Sequence, residues 1–206
     1  MPSLWTPDGI PDSLTVLFLG DSITQNHTYV DLIDAHFKLH WPEKQITLIN
    51  LGLSSETVSG LSEPTHPFPR PCVHDRIEPT LKATQPDWVV IGYGMNDGIY
   101  HPFSEDRFDL YRQGILRAIE LSRQYASKVI LLTPPPFDAD PFIAKGVLQP
   151  AGAELYDYAH PYEHYDSEVL ARYAEWILSL DGAADAVVNI RAPLAQYTAM
   201  RKSQDP

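Results

Sequence analysis

Three short polar stretches, each entered from an apolar run, carry the groups that acyl transfer needs. The first is Gly20-Asp21-Ser22. The second is Gly52-Leu53-Ser54-Ser55-Glu56-Thr57, and the third is Gly94-Met95-Asn96-Asp97. Ser22 offers a hydroxyl that a neighbouring base can turn into a nucleophile. Asn96 offers a side-chain amide donor. The backbone N–H groups of Ser22 and Ser55 fall at a helix or loop start, and such donors can form an oxyanion hole for a tetrahedral intermediate. Each stretch also has a plain reading. A serine after a strand is commonly the N-cap of the next helix. Asn96-Asp97-Gly98 is turn chemistry, and Ser54-Ser55 can be a solvated loop. What favours chemistry is their joint occurrence, in this order and on one edge.

That edge follows from the elements that hold the stretches. Thr15–Gly20 is a near-continuous apolar run, the pattern of a buried parallel strand. Gln45–Leu51, Trp88–Tyr93, Lys128–Thr133 and Ala186–Ile190 are four further strands. Helical spacing of apolar residues marks Tyr29–His40, 105–125 and 166–180. A short helix is expected over Val73–Thr84, with Pro79 an awkward residue inside it. Pro193 can open a last helix reaching about Lys202. Residues 1–14 read as an irregular arm, and 52–71 and 137–165 as long irregular segments. Loops of that length in a compact domain are usually functional. Strands alternating with helices predict an α/β fold: a three-layer αβα sandwich on a five-stranded parallel sheet. Parallel strands point one way, so the exits of strands one, two and three share an edge. Ligands of open α/β sheets bind just beyond such strand ends.

Composition narrows the classes. The chain has 206 residues, enough for one domain and short for two. Its formal net charge of −12 argues against nucleic acid, whose phosphates demand a basic face, and against anionic membrane surfaces. Cys72 is the single cysteine, which rules out an internal disulfide or a Cys-x-x-Cys metal site. Met1 to Pro11 lacks a basic and then apolar leader pattern, and no apolar run is long enough to span a bilayer. The expectation is a cytoplasmic protein. No G-x-G-x-x-G or G-x-x-x-x-G-K-[ST] occurs, which disfavours a nucleotide binder.

Gly20-Asp21-Ser22-Ile23-Thr24, then Asn50 to Thr57, then Gly94-Met95-Asn96-Asp97 together resemble the first three blocks of the SGNH (GDSL-type) hydrolases. The resemblance implies a flavodoxin-like sandwich and a serine esterase or deacylase without metal or organic cofactor. It implies that Ser22 is nucleophile and oxyanion donor, that Asn96 donates its side-chain amide, and that Ser55 donates its N–H. The chain departs from the pattern at Ser55, where the family usually has glycine. A backbone donor can still be a serine if its φ/ψ permits.

A second departure concerns the base. The family's fourth block is Asp-x-x-His, after the last strand and before the final helix. Here no histidine lies beyond His164. The sole Asp-x-x-His is Asp157-Tyr158-Ala159-His160, one βα step early. Either the usual block follows Pro206, leaving 1–206 as a single SGNH-like domain that lacks it, or the 137–165 loop folds over the strand ends and His160, oriented by Asp157, acts in place. His27, His66, His74 and His101 also lie near strand exits; His36 and His40 sit on the first helix. The tyrosines at 156, 158, 162 and 165 suit the wall of a carbohydrate or aryl site as well as packing. The expected substrate is a small ester, such as an acetylated carbohydrate. The alternative is a catalytically impaired module that binds an acyl or glycan ligand. Self-association into a homo-oligomer is compatible with either.

Overall fold

The computed structural model describes residues 10–180 and 182–204. Its centre is a five-stranded parallel sheet in the order β2-β1-β3-β4-β5. The strands are β1 (Ser13–Gly20), β2 (Gln45–Asn50), β3 (Trp88–Gly92), β4 (Lys128–Leu132) and β5 (Ala186–Val188). This is the doubly wound sandwich that the alternation of strands and helices predicts. Most of the expected arm lies outside the described residues, and Ser13 and Leu14 already belong to β1.

The central strands β1, β3 and β4 are apolar because both of their faces are largely covered. Leu17, Leu19, Val89, Ile91, Val129 and Leu131 point to one face. Val16, Phe18, Trp88, Val90 and Ile130 point to the other. The first face packs against α3 (Ile77–Thr84), α4 (Glu105–Arg123) and α6 (Ala171–Ser179). Val30 and Phe37 of α2 (Thr28–His40) cover part of the second. The last helix, α7 (Arg191–Gln204), buries none of its residues. Between α2 and α7 runs an apolar groove of about 780 Å³. Leu32, Leu132, Val188, Ile190 and Leu194 line it, and so does Ser22.

The structure corrects several local readings. Helix α3 begins at Ile77 after a 3₁₀ turn at Val73–Asp75. Pro79 therefore falls in the first turn, where an N–H would have no intrahelical acceptor anyway. Helix α7 begins at Arg191 rather than Pro193, because the Thr133 hydroxyl oxygen accepts from the N–H groups of Ile190 and Arg191. The segment 137–165 is not wholly irregular: it contains α5 (Asp140–Lys145). A π-helical turn, Tyr165–Leu170, leads into α6. The four-residue helix α1 (Ser22–Gln25) is too short to leave a periodic signal in sequence.

Candidate active site

Asp21 settles the local role of Ser22. Its side-chain oxygen accepts from the Ile23 N–H at 2.9 Å, so Asp21, not Ser22, caps α1. The Ser22 hydroxyl is left exposed at the first position of the helix. Asp21 itself is 3% exposed, and burial pushes its pKa up to about 7, with the Ile23 hydrogen bond opposing and the nearby Asp97 and Glu56 adding. This has a consequence for stability. The unfolded carboxyl titrates near 3.8, so between 3.8 and about 7 the native state holds a proton that the unfolded state has lost. Stability contributed by Asp21 therefore falls as pH rises through that window. Asp21→Asn keeps a good cap. Urea unfolding at pH 4.5 and pH 8 should show a smaller loss in the variant than in the parent; equal losses would mean that Asp21 titrates normally.

The second stretch is tied down against α1. The Leu53 N–H donates to Gly20 O at 2.9 Å, Asn50 Nδ2 to Thr24 O at 2.7 Å, and the Ser54 N–H to Gln25 Oε1 at 2.6 Å. The approach is so close that a Cβ on Gly52 would lie 2.3 Å from the Gln25 nitrogen. Beyond it Ser55 has φ +65°, the left-handed region. A non-glycine residue there costs roughly 1–2 kcal/mol. The backbone thus adopts the glycine-like conformation that the family pattern implies, with a serine in place. Ser55→Gly is expected to keep activity and to leave thermal stability unchanged or higher. Ser55→Val should lower both. A large loss of activity in Ser55→Gly would show that the side chain, not the N–H, matters.

The third stretch closes the site. Asn96 is buried, with Nδ2 donating to Glu56 O at 3.2 Å and Oδ1 accepting from the Tyr100 hydroxyl at 3.1 Å. That pairing fixes which end of the amide is the donor. Asp97 is more than a turn residue. Its Oδ1 accepts from the N–H groups of Val58 and Ser59, both at 2.8 Å, and so anchors the second loop to the third. Burial pushes the Asp97 pKa up to about 6, against the pull of those hydrogen bonds.

Ser22, Ser54, Ser55 and Asn96 line one cleft of about 310 Å³ at the carboxyl edge of the sheet. Three of the predicted residues are therefore together. His160 and Asp157 form the pair their spacing suggests, with Nδ1 and Oδ1 3.1 Å apart and the Thr65 hydroxyl donating to Asp157 Oδ2 at 3.0 Å. Neither residue of that pair lines the cleft that holds Ser22. His66 does. Its Nδ1 donates to Phe68 O at 2.6 Å, since a carbonyl can only accept, which leaves Nε2 as the acceptor nitrogen. His101 lies against Tyr156, and neither ring nitrogen of the half-buried His74 has a partner among the described residues. Of the four tyrosines, only Tyr158 lines the cleft; Tyr156, Tyr162 and Tyr165 are buried in packing. Arg70 and Tyr100 also line it, and no sequence signal singles them out. Among the described residues no group of three or more His, Cys, Asp or Glu is placed to hold a metal ion, and no helix is long and apolar enough to cross a membrane.

Comparison with known proteins bears on the family and the fold. Residues 18–206 match the model of the GDSL-like lipase/acylhydrolase family. Similar solved structures include an acetylxylan esterase from Geobacillus stearothermophilus, at 19% identity over 90% of this chain and 80% of that chain, with a TM-score of 0.61. Another is an alpha/beta hydrolase enzyme from the metagenome of Lake Arreo, Spain, at 18% identity over 90% and 81%, with a TM-score of 0.63. No curated protein matches the sequence. At such identities the structural likeness speaks for the fold.

Proposed function

The chain belongs to the GDSL-like lipase/acylhydrolase family, a family of carboxylic ester hydrolases, and on that premise we propose that it is a serine esterase acting through an acyl-enzyme at Ser22. The observation that carries the reading is the shared cleft of Ser22, Ser55 and Asn96. In the proposed reaction Ser22 Oγ attacks the ester carbonyl while a base removes its proton. The carbonyl oxygen becomes an oxyanion held by the N–H groups of Ser22 and Ser55 and by Asn96 Nδ2. Collapse expels the alcohol, which takes up the proton, and water then releases the acid by the same route. The aromatic wall of the cleft, with Tyr158 and Phe68, suits a small ester such as an acetylated sugar. Acetylxylan esterases among the structural neighbours favour the same substrate class.

The base is the part of the reading that the cleft leaves furthest from the sequence motif. We propose that it belongs to an Asp-x-x-His block following Pro206, not to His160. Two observations favour this. His160 lies outside the cleft lining, and Ser22 borders the open apolar groove beside α7 as well as the cleft. A parallel sheet is ordinarily covered on both faces, so a further segment packed in that groove would stand next to Ser22.

Labelling by a fluorophosphonate tests both parts, because it reports whether Ser22 is activated. We expect strong labelling at Ser22 in a chain continued past Pro206 by its native codons, weak labelling of residues 1–206 alone, and no effect of His160→Ala. Full labelling of 1–206 that His160→Ala abolishes would place the base in the 137–165 loop. Full labelling that survives it would point to His66, the one histidine lining the cleft among the described residues. No labelling of either form would favour a binding module for an acyl or glycan ligand.

A further inference from the structure

The loop that carries Ser55 is held by an ion pair that the reaction does not itself use. Arg70 and Glu63 face each other with side chains 2% and 0% exposed. Arg70 Nε donates to Glu63 Oε2 at 2.5 Å, and one terminal nitrogen donates to Oε1 at 2.6 Å. Burial by itself raises the Glu63 pKa, and the Arg70 hydrogen bonds outweigh it, so the carboxyl stays below its ordinary value. A buried pair of this kind is weak evidence for stability, since desolvation offsets most of the attraction. Its geometry suggests another use. The remaining terminal nitrogen of Arg70 donates to the carbonyl of Ser55 at 3.2 Å. The guanidinium carbon also lies 5.6 Å from the centroid of Tyr100, whose hydroxyl orients the Asn96 amide.

We propose that Arg70, held by Glu63, is a positioning residue of the oxyanion hole. It clamps the Ser55 carbonyl, and so keeps Ser55 in its left-handed conformation with its N–H aimed into the cleft. The physical need is specific. At φ +65° a serine sits in strained backbone that glycine would occupy freely. Strained conformations persist only where the surroundings over-determine them. The loop supplies two restraints around this residue: Gln25 holds the N–H of Ser54 on one side, and Arg70 holds the carbonyl of Ser55 on the other. Glu63 uses both carboxylate oxygens on Arg70, which leaves the guanidinium no freedom to swing away. The contact with Tyr100 brings the second donor, Asn96, under the same influence.

This inference rests on the esterase reading, and its test separates the two. Arg70→Met alone strands a buried carboxylate and can fail to fold. The double variant Arg70→Met with Glu63→Leu removes both charges and keeps apolar bulk, a replacement that is often neutral for stability. In the double variant, kcat for an aryl acetate is expected to fall roughly 10- to 100-fold, short of the loss of a whole donor. KM and the unfolding midpoint should change little. Ser55→Gly in the same background should recover part of the loss, because glycine needs less restraint at that φ. A crystal structure of the double variant should show the Ser55–Glu56 peptide rotated. Unchanged kcat with an unchanged Ser55 peptide would overturn the proposal. A parent chain that no fluorophosphonate labels would instead remove the esterase reading, and the Ser55 backbone of the double variant would still decide whether Arg70 is the clamp.

Discussion

Ser22→Ala is expected to reduce aryl-acetate hydrolysis to the level that binding and an empty-handed oxyanion hole can sustain. In a serine hydrolase of another fold, loss of the nucleophile costs about 10⁶ in kcat, and the residual over water is roughly 10³–10⁴. The same order is expected here, measured in the chain form that turns over. The fold should not suffer. The Ser22 side chain is exposed, and capping of α1 falls to Asp21. Surface substitutions of this kind usually stay within about 0.5 kcal/mol. Unfolding curves of parent and variant should therefore overlay, and fluorophosphonate should no longer label the variant. A purified Ser22→Ala chain that hydrolyses at the parent rate would end the assignment, because no other group in the cleft is then excluded as nucleophile.

The readable part of this chain was the part fixed by short-range rules. An apolar run ending in Gly-Asp-Ser marks a buried strand and its exit whatever surrounds it, and β1, β3 and β4 follow such runs closely. The doubly wound sandwich follows from right-handed crossovers once the alternation of strands and helices is read, while its flavodoxin-like strand order came with the resemblance to the SGNH hydrolases. The three block residues came together because parallel strands share an exit edge. What stayed hidden depends on contacts remote in sequence. Arg70 lies between two prolines in a long loop, and its partners Glu63, Ser55 and Tyr100 are 7, 15 and 30 positions away; only the folded loop brings them to one guanidinium. The π-helical turn before α6 likewise has no periodicity of its own.

The histidine shows the limit from the other side. Asp157-Tyr158-Ala159-His160 has the right spacing, and the hydrogen-bonded pair does form. Spacing fixes the relation of His160 to Asp157. It says nothing of where that pair sits relative to Ser22, which is set by how residues 137–165 pack against Tyr100, His101 and the π-helical turn. His66 had no motif at all, yet the loop 52–71 brings it to the cleft wall. A motif read from spacing alone thus gives local geometry and leaves its tertiary address open.

The last expectation concerns Asn96, where two effects must be separated. The amide is buried, and it both donates to Glu56 O and accepts from the Tyr100 hydroxyl. Asn96→Ala therefore removes the proposed oxyanion donor and also strands a buried hydroxyl, which costs about 1–3 kcal/mol of stability. Tyr100→Phe isolates the second effect. It frees the Asn96 carbonyl oxygen without removing the donor, and it should cost far less activity. Loss of one oxyanion-hole side-chain donor elsewhere lowers kcat by about 10²–10³. The same loss is expected for Asn96→Ala, with KM nearly unchanged, because the donor meets charge that develops only in the transition state. Steady-state kinetics of the two variants, with unfolding midpoints alongside, make the comparison. If Asn96→Ala raises KM and spares kcat, Asn96 binds the ground state and the oxyanion hole must be assigned elsewhere. If Tyr100→Phe loses as much kcat as Asn96→Ala, the activity depends on the packing around Asn96 and not on its N–H.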